Sequence, residues 1–414
     1  MYGDFTNGLN MTWDRIQERL KKEDIAIEFL SYSSYTDQKE HLAALILRSD
    51  WNSPIIVELF SAEQIPENIY DNIQFSQLCW GPIYKYLDGI KNIFFAPAGV
   101  LYNIGLESLL APYGNGYMSE KYSLYRVSST RELAMHSDWS QHKKRNAVIY
   151  GGIDYQAAMN SSEDDKKKDI VYKDDNMEIL RDLRGAIHGI DYLPGSKIEA
   201  ENISRILKSK NDSSKAQLFT GSNGTESSFK AISNKDVEIV HVSTHGFYNT
   251  ANDDVSLASG FYQQQDNEDK VLTRSGLLFA GAENTLLCDS IPDSYDDGIL
   301  TALEISTLDL RTLDLVTLSA CQTAQGDITG DGVFGLQRGF KKAGANSILM
   351  SLWKVDDAAT CELMTEFYRN WMNGKSKYEA LESAKKVVRS HKDKGWDNPK
   401  YWASFILLDA WEGK

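Results

Sequence analysis

At 414 residues the chain exceeds what one small core organises and suits two domains, or one domain with an elaborate partner. Hydrophobic residues make up 42% and charged residues 25%, the proportions of an ordinary globular protein. There is no apolar run near 18 residues and no basic-then-apolar opening over residues 1–10, so neither a membrane span nor a secretory signal is expected. A formal net charge of −15 disfavours direct, sequence-independent binding to nucleic acid, where lysine and arginine must meet phosphates. Cys79, Cys288, Cys321 and Cys361 are scattered with no CxxC pair, which argues against structural zinc or a disulfide framework and fits a reducing cytoplasm.

In chain order, apolar runs at 25–30, 42–47, 55–60 and 92–96 have strand length, and the spacing around 69–90 predicts a helix. A polar stretch at 137–145 marks the expected boundary between a first domain (1–140) and a second (141–414). The second opens on the run 146–151 within NAVIYGG and continues with strand-like runs at 238–243, 313–320, 347–353 and 403–408, with helical segments between several of them. Near-continuous apolar strands alternating with helices predict an α/β fold whose mostly parallel sheet is covered on both faces.

Three polar segments interrupt the pattern: a charged insertion at 156–190, an Asn/Asp/Gln-rich stretch at 249–273, and the acidic CDSIPDSYDDG at 288–298. Solvated loops are the simplest reading; a mobile loop near a site, or one cut during activation, is the alternative. Toward the end, Ala359, Leu363, Phe367 and Trp371 form one helical stripe with Asp356 and Asp357 at its start, and Ser376 with Glu379 forms a capping box for the next helix.

Two motifs carry chemistry. His241-Val242-Ser243-Thr244-His245-Gly246 ends one apolar strand, and Leu318-Ser319-Ala320-Cys321 ends another. Loops leaving the carboxyl ends of parallel strands share one edge, where ligands bind, so an imidazole and a thiol 76 residues apart in sequence can meet there. A thiol with a pKa near ~8.5 is mostly protonated at neutral pH, and a neighbouring histidine takes its proton and later protonates a leaving amine. Gly246 lets its amide approach a carbonyl closely; with the Cys321 amide it makes a candidate oxyanion hole. Taken singly, a cysteine after a buried strand is usually an inert core residue and a strand-end histidine a structural one; the combination carries the reading.

Other motifs fail on inspection. Asp327 to Gly332 opens like a calcium loop, but its twelfth position is Arg338 and a helix bearing Val333, Leu336 and Phe340 begins too early. Gly374-Lys375-Ser376 has Arg369 where a phosphate loop needs its first glycine, and no GxSxG elbow is present. Gly332, Gly335 and Gly339 read as small residues for close helix packing.

The two motifs and their surroundings resemble the caspase-like cysteine peptidases (clan CD), and more closely their CHAT branch, named for caspase and tetratricopeptide association. The resemblance includes STHG at 243–246, SGLLFAGAE at 275–283, DGILTALEI at 297–305 and LSACQTAQG at 318–326. It continues through GDGVFGLQRGFKKAGANSILMSLWKVDD at 330–357, the helix end FYRNWMNGKS and PKYWASFIL at 399–407. The first 140 residues, with IFFAPAGVLYNIGLESLL at 93–110, resemble the region accompanying such domains, a degenerate caspase-like domain without its own His–Cys pair.

This resemblance implies an endopeptidase whose dyad is His245 and Cys321, with Gly246 and the Cys321 amide as oxyanion donors and no cofactor or metal. Separase holds an arginine with an aspartate in a Trp-x-Val-x-Asp context, matched here by Trp353-Lys354-Val355-Asp356-Asp357. That makes Asp357, with Asp356 beside it, the candidate for the S1 pocket and implies cleavage after arginine or lysine; the alternative is that both aspartates only cap the following helix. It further implies one specific protein substrate and activity released by a partner or ligand. Bacterial relatives are associated with antiviral and other defence, acting on gasdermin-like pore formers or a CRISPR-associated substrate. Many members carry tetratricopeptide repeats upstream, and none is visible in this sequence. The rival reading is a non-catalytic pseudoprotease or interaction module; a transpeptidase or ligase working through the same acyl-enzyme stays open.

Overall fold

The computed structural model describes residues 11–35, 37–135, 145–158, 190–210, 215–248, 272–287, 296–319, 327–329 and 332–411. These form two compact units, Met1–His142 with Ile328–Gly332 and Phe405–Lys414, and Lys143–Asp327 with Val333–Ser404. Most of the polar stretch 137–145, and most of the segments 156–190, 249–273 and 288–298, lie outside the described residues.

In the first unit, strands β1 (Asp24–Ser33), β2 (Glu40–Arg48), β3 (Ile55–Ser61), β4 (Asn92–Ala96) and β5 (Ser123–Arg126) are joined by a late strand, Phe405–Leu408. Their order is β3-β2-β1-β4-β5 and then the late strand. The β1–β3 ladders are antiparallel, and the pairings of β1 with β4, β4 with β5, and β5 with the late strand are parallel. Alternation of side chains covers both faces: Ile25, Ile27 and Phe29 pack with Trp80 and Phe95, while Ala26 packs with Phe94 and Trp411 on the other. The helix expected around 69–90 forms as two short pieces, Ile73–Cys79 and Gly81–Tyr84, the second with a proline in its first turn. Of the run expected at 403–408, Phe405–Leu408 forms the late strand and groups with this unit, while its first two residues belong to the other.

The second unit contains β6 (Ala147–Ile153), β7 (Ala216–Gly221), β8 (Ile239–Val242), β9 (Gly246–Tyr248), β10 (Ser275–Leu278), β11 (Ile299–Thr301), β12 (Leu315–Leu318) and β13 (Ser347–Ser351). β7-β6-β8-β12-β13 is the order of a parallel sheet, and β11-β10-β9 is a small antiparallel one. Every residue of β6, β8, β12 and β13 is buried, which explains their continuous apolar sequences. β6 pairs β7 on one side and β8 on the other, so the chain's progress across the sheet reverses there; such a switch point opens a crevice at the strands' carboxyl ends.

Helices cover both faces. α1 (Pro194–Lys210) crosses β6 at Gly151, while the adjacent Tyr150 points the other way, against Phe229 and Phe279. α2 (Leu336–Ala343) adds Phe340 to that second cluster, and a Cβ on Gly339 would lie 2.6 Å from the Ala302 carbonyl oxygen, so this glycine does serve close packing. Val333 lies in a short extended segment, Gly332–Phe334, and the helix begins only at Leu336. α3 (Asp357–Met372) buries Ala359, Leu363, Phe367 and Trp371, and α4 (Lys377–Ser390) starts at the Ser376–Glu379 capping box.

The glycine pair ending NAVIYGG sets how α1 sits. A Cβ on Gly151 would overlap the Ser196 carbonyl oxygen and lie 2.6 Å from Ala200 Cβ. Gly152 has φ +63°, a left-handed conformation that glycine adopts without penalty, and its amide donates to Ser196 Oγ at 2.9 Å. Since Gly151 meets backbone, Gly151→Ala is expected to lower stability by about 1–3 kcal/mol, the usual cost of overpacking, measured as the midpoint shift in urea unfolding; an unchanged midpoint would show that α1 yields freely.

Candidate active site

His245 follows β8 by three residues, and the chain between is pinned. The Ser243 amide donates to the Tyr150 carbonyl of β6 at 2.9 Å, and the Leu278 amide of β10 donates to the His245 carbonyl at 2.9 Å. Behind the histidine runs a directed chain of hydrogen bonds. Its amide donates to the Tyr155 hydroxyl at 3.3 Å, and the buried Thr244 hydroxyl donates to the Leu278 carbonyl. Because the threonine hydrogen is spent on a carbonyl, Tyr155 must donate in their 2.9 Å contact. The Tyr155 ring also lies beside the imidazole, with centroids 5.2 Å apart.

The imidazole is held from the front as well. His245 Nε2 lies 2.8 Å from the main-chain oxygen of Asp191, in the segment leading into α1. A carbonyl only accepts, so the neutral ring carries its proton on Nε2 and offers the Nδ1 lone pair as a base. Tyr155 leaves the end of β6 and His245 the end of β8, which places this constellation at the switch point.

Gly246 opens β9. The hydrogen bond between Leu278 and His245 marks a bonded pair of the antiparallel ladder; the next pair, Leu277 with Gly246, is therefore non-bonded, and the Gly246 amide points away from β10. β12 lies beside β8 with Leu318 paired to Val242, and the Ser319 amide donates to the Val242 carbonyl at 2.9 Å. Cys321 lies outside the described residues. Among the described residues the two thiols are Cys79, which burial pushes far above the ordinary range, and Cys361, which burial with the Glu199 carboxylate pushes up to about 11; neither is a ready nucleophile.

After β13 come the two aspartates, both exposed. Asp356 Oδ1 accepts the Ala359 amide at 2.9 Å and caps α3. Asp357, the first helical residue, turns elsewhere: its Oδ2 accepts the Gly195 amide at 2.8 Å. Beneath the rim, His241 Nε2 lies 2.8 Å from Glu199 Oε1, with the two side chains 0% and 1% exposed, tying α1 to β8. His241, the first histidine of the motif, is thus a buried structural partner. Sequence reasoning missed Tyr155, the Asp191 carbonyl, Gly195 and Glu199. Of these only Glu199 carried a signal, since a buried histidine mid-strand calls for an acceptor; the Asp191 contact is made by main chain. Among the described residues no group of three or more His, Cys, Asp or Glu is placed to hold a metal ion, and no helix is long and apolar enough to cross a membrane.

A parallel α/β unit with an oriented histidine at its switch point has the setting where folds of this class bind their ligands. The CHAT domain model matches residues 74–410, and the chain belongs to that family. Among curated proteins it is similar to tetratricopeptide repeat protein 28 of Homo sapiens, 26% identical over 338 residues, and to that of Mus musculus, 26% over 339. Each alignment covers 80% of this chain and 12% of the relative, so the chain spans about an eighth of those proteins. Solved structures similar to it include the Arg-specific cysteine proteinase gingipain R, at 10% identity and TM-score 0.42, covering 84% of this chain and 69% of that one. Another is the Saccharomyces cerevisiae separase–securin complex, at 13% and 0.41, covering 83% and 18%. Likenesses this distant carry no argument about mechanism.

Removing the Tyr155 hydroxyl takes the acceptor from the His245 amide and the donor from Thr244 Oγ1, which keeps only its bond to the Leu278 carbonyl. Tyr155→Phe is expected to cost about 1–3 kcal/mol, measured by urea unfolding; wild-type stability would show that the chain behind the histidine does not hold it.

Proposed function

We propose that the protein is a cysteine endopeptidase, with Cys321 as nucleophile and His245 as its general acid and base. The observation that carries this reading is the parallel pairing of β8 with β12. Val242 is paired with Leu318, and each candidate residue stands three positions beyond its partner in that register. Consecutive Cα atoms are about 3.8 Å apart, so two residues of chain cannot carry Cys321 far from Ser319, whose amide is bonded to the Val242 carbonyl.

In this mechanism the thiol proton passes to His245 Nδ1 and the sulfur attacks the scissile carbonyl carbon. The oxygen takes up negative charge between the amides of Gly246 and Cys321, where one such donor is worth about 3 kcal/mol. His245 returns the proton to the leaving amine as the C–N bond breaks, leaving a thioester. Water, deprotonated by the same ring, attacks the thioester, releases the acid and restores the dyad. The Asp191 carbonyl serves throughout by holding the ring and by stabilising the imidazolium, as a hydrogen-bond acceptor must.

Substrate choice falls to Asp357 more than to Asp356, whose carboxylate is spent on the helix cap. Asp357 is exposed at the same rim and faces a basic side chain at P1, the residue before the cut. The physiological target on this reading is one cytoplasmic protein, with release of activity by a protein partner or an upstream tetratricopeptide region. A gasdermin-like pore former or a CRISPR-associated protein, in antiviral defence, is the target class that family membership suggests.

Wild-type protein added to a lysate of its own host, with Cys321→Ala as control, is expected to generate new N-termini that follow arginine or lysine and are missing from the control. Identical N-termini in both samples, with and without added partners, would remove the peptidase reading in favour of an interaction module.

A further inference from the structure

We propose that Gly195 is a specificity-determining position, which seats the Asp357 carboxylate for a basic substrate side chain. The inference rests on the reading of Asp357 given above and deepens it.

Gly195 lies in the first turn of α1, where amides have no acceptor within their own helix. Its N–H is satisfied by Asp357 Oδ2 at 2.8 Å, from the first residue of a helix 162 positions later. The contact leaves no room for a side chain. A Cβ built at 195 would stand 2.5 Å or less from Oδ1, Oδ2 and Cγ of Asp357, the whole carboxyl group. Gly195 is not among the residues with positive φ, so its lack of a side chain, not its backbone freedom, is what the site uses. One carboxylate oxygen is thereby tethered while the group as a whole stays exposed, the condition for receiving a guanidinium or ammonium group.

The helix carrying Gly195 is the less able of the two to give way. One residue on, Ser196 Oγ accepts the Gly152 amide and donates to the Leu193 carbonyl, both within 2.9 Å. Four residues on, Glu199 is buried against His241. Four residues back, Asp191 holds the His245 ring. Residues 191–199 are therefore one strap, anchored inside to β6 and β8 and touching at the rim both the catalytic base and the proposed S1 carboxylate. With an alanine at 195, the exposed end of Asp357 moves rather than the anchored turn.

The test is a double-mutant cycle on Gly195→Ala and Asp357→Ala. Its readout is the rate at which Cys321 is labelled by peptidyl acyloxymethyl ketones that differ only at P1: arginine, lysine, glutamine and norleucine. Losing one charge-assisted contact is expected to lower the arginine and lysine rates on the order of 10- to 100-fold in either single variant. The glutamine and norleucine rates stay near wild type, and the double variant is no worse than Asp357→Ala alone.

Asp357→Ala that keeps a basic preference would sink the underlying S1 reading, whatever Gly195 does. If Asp357→Ala loses the preference while Gly195→Ala retains it, only the present proposal falls. The proposal falls too if Gly195→Ala slows all four probes alike and does so again in the Asp357→Ala background. Should Gly195→Ala fold too poorly to label, the two groups compete for one place if Asp357→Ala restores its thermal midpoint; no recovery in the double variant would count against the proposal.

Discussion

A single hydrogen bond, from His245 Nε2 to the Asp191 carbonyl, fixes how the imidazole is presented at the rim of the second unit. A free imidazole at a strand end rotates and exchanges tautomers; this one is given a fixed proton and a fixed lone pair by a main-chain acceptor. The rest of the local structure serves that contact. Tyr155 and Thr244 fix the backbone behind the ring, and the Gly151–Gly152 pair lets α1 descend close enough for the residues before it to reach the histidine. The buried Glu199–His241 pair holds the helix down. A buried pair of this kind is weak evidence for added stability, because desolvation offsets its attraction, but breaking it is costly. Its place between strand and helix suits it to fixing register.

The same economy appears at the second rim position. Asp356 and Asp357 are adjacent and chemically identical, yet one is consumed by the cap of α3 and the other is turned to the strap. The proposed division between structure and recognition follows from helix geometry: an N-cap side chain folds back onto its own first turn, while the next residue projects outward.

Much of this was legible in the sequence, for identifiable reasons. The strands of the parallel sheet announce themselves because burial on both faces demands continuous apolar runs, and His245 and Cys321 stand out because each follows such a run. β7 was not legible: Ala216–Gly221 carries Gln217 and Thr220, and most of its residues are only half buried. The small sheet β9–β11 was missed too, since three- and four-residue strands give no period. The Asp191 contact had no signature at all, because any residue supplies a carbonyl, and it sits at the end of a segment that reads as solvated loop. Nothing in the sequence marks Gly195, because the Asp357 carboxylate that meets its amide lies 162 residues away.

In a working dyad the imidazole at 245 sets the acidity of the thiol at 321. The direct measurement is the pH dependence of Cys321 alkylation by iodoacetamide, followed by mass spectrometry in wild type and in His245→Ala. The midpoint is expected well below the ordinary thiol value of ~8.5 in wild type, rising toward it when the imidazole is removed. Superimposable profiles in the two proteins would contradict the dyad.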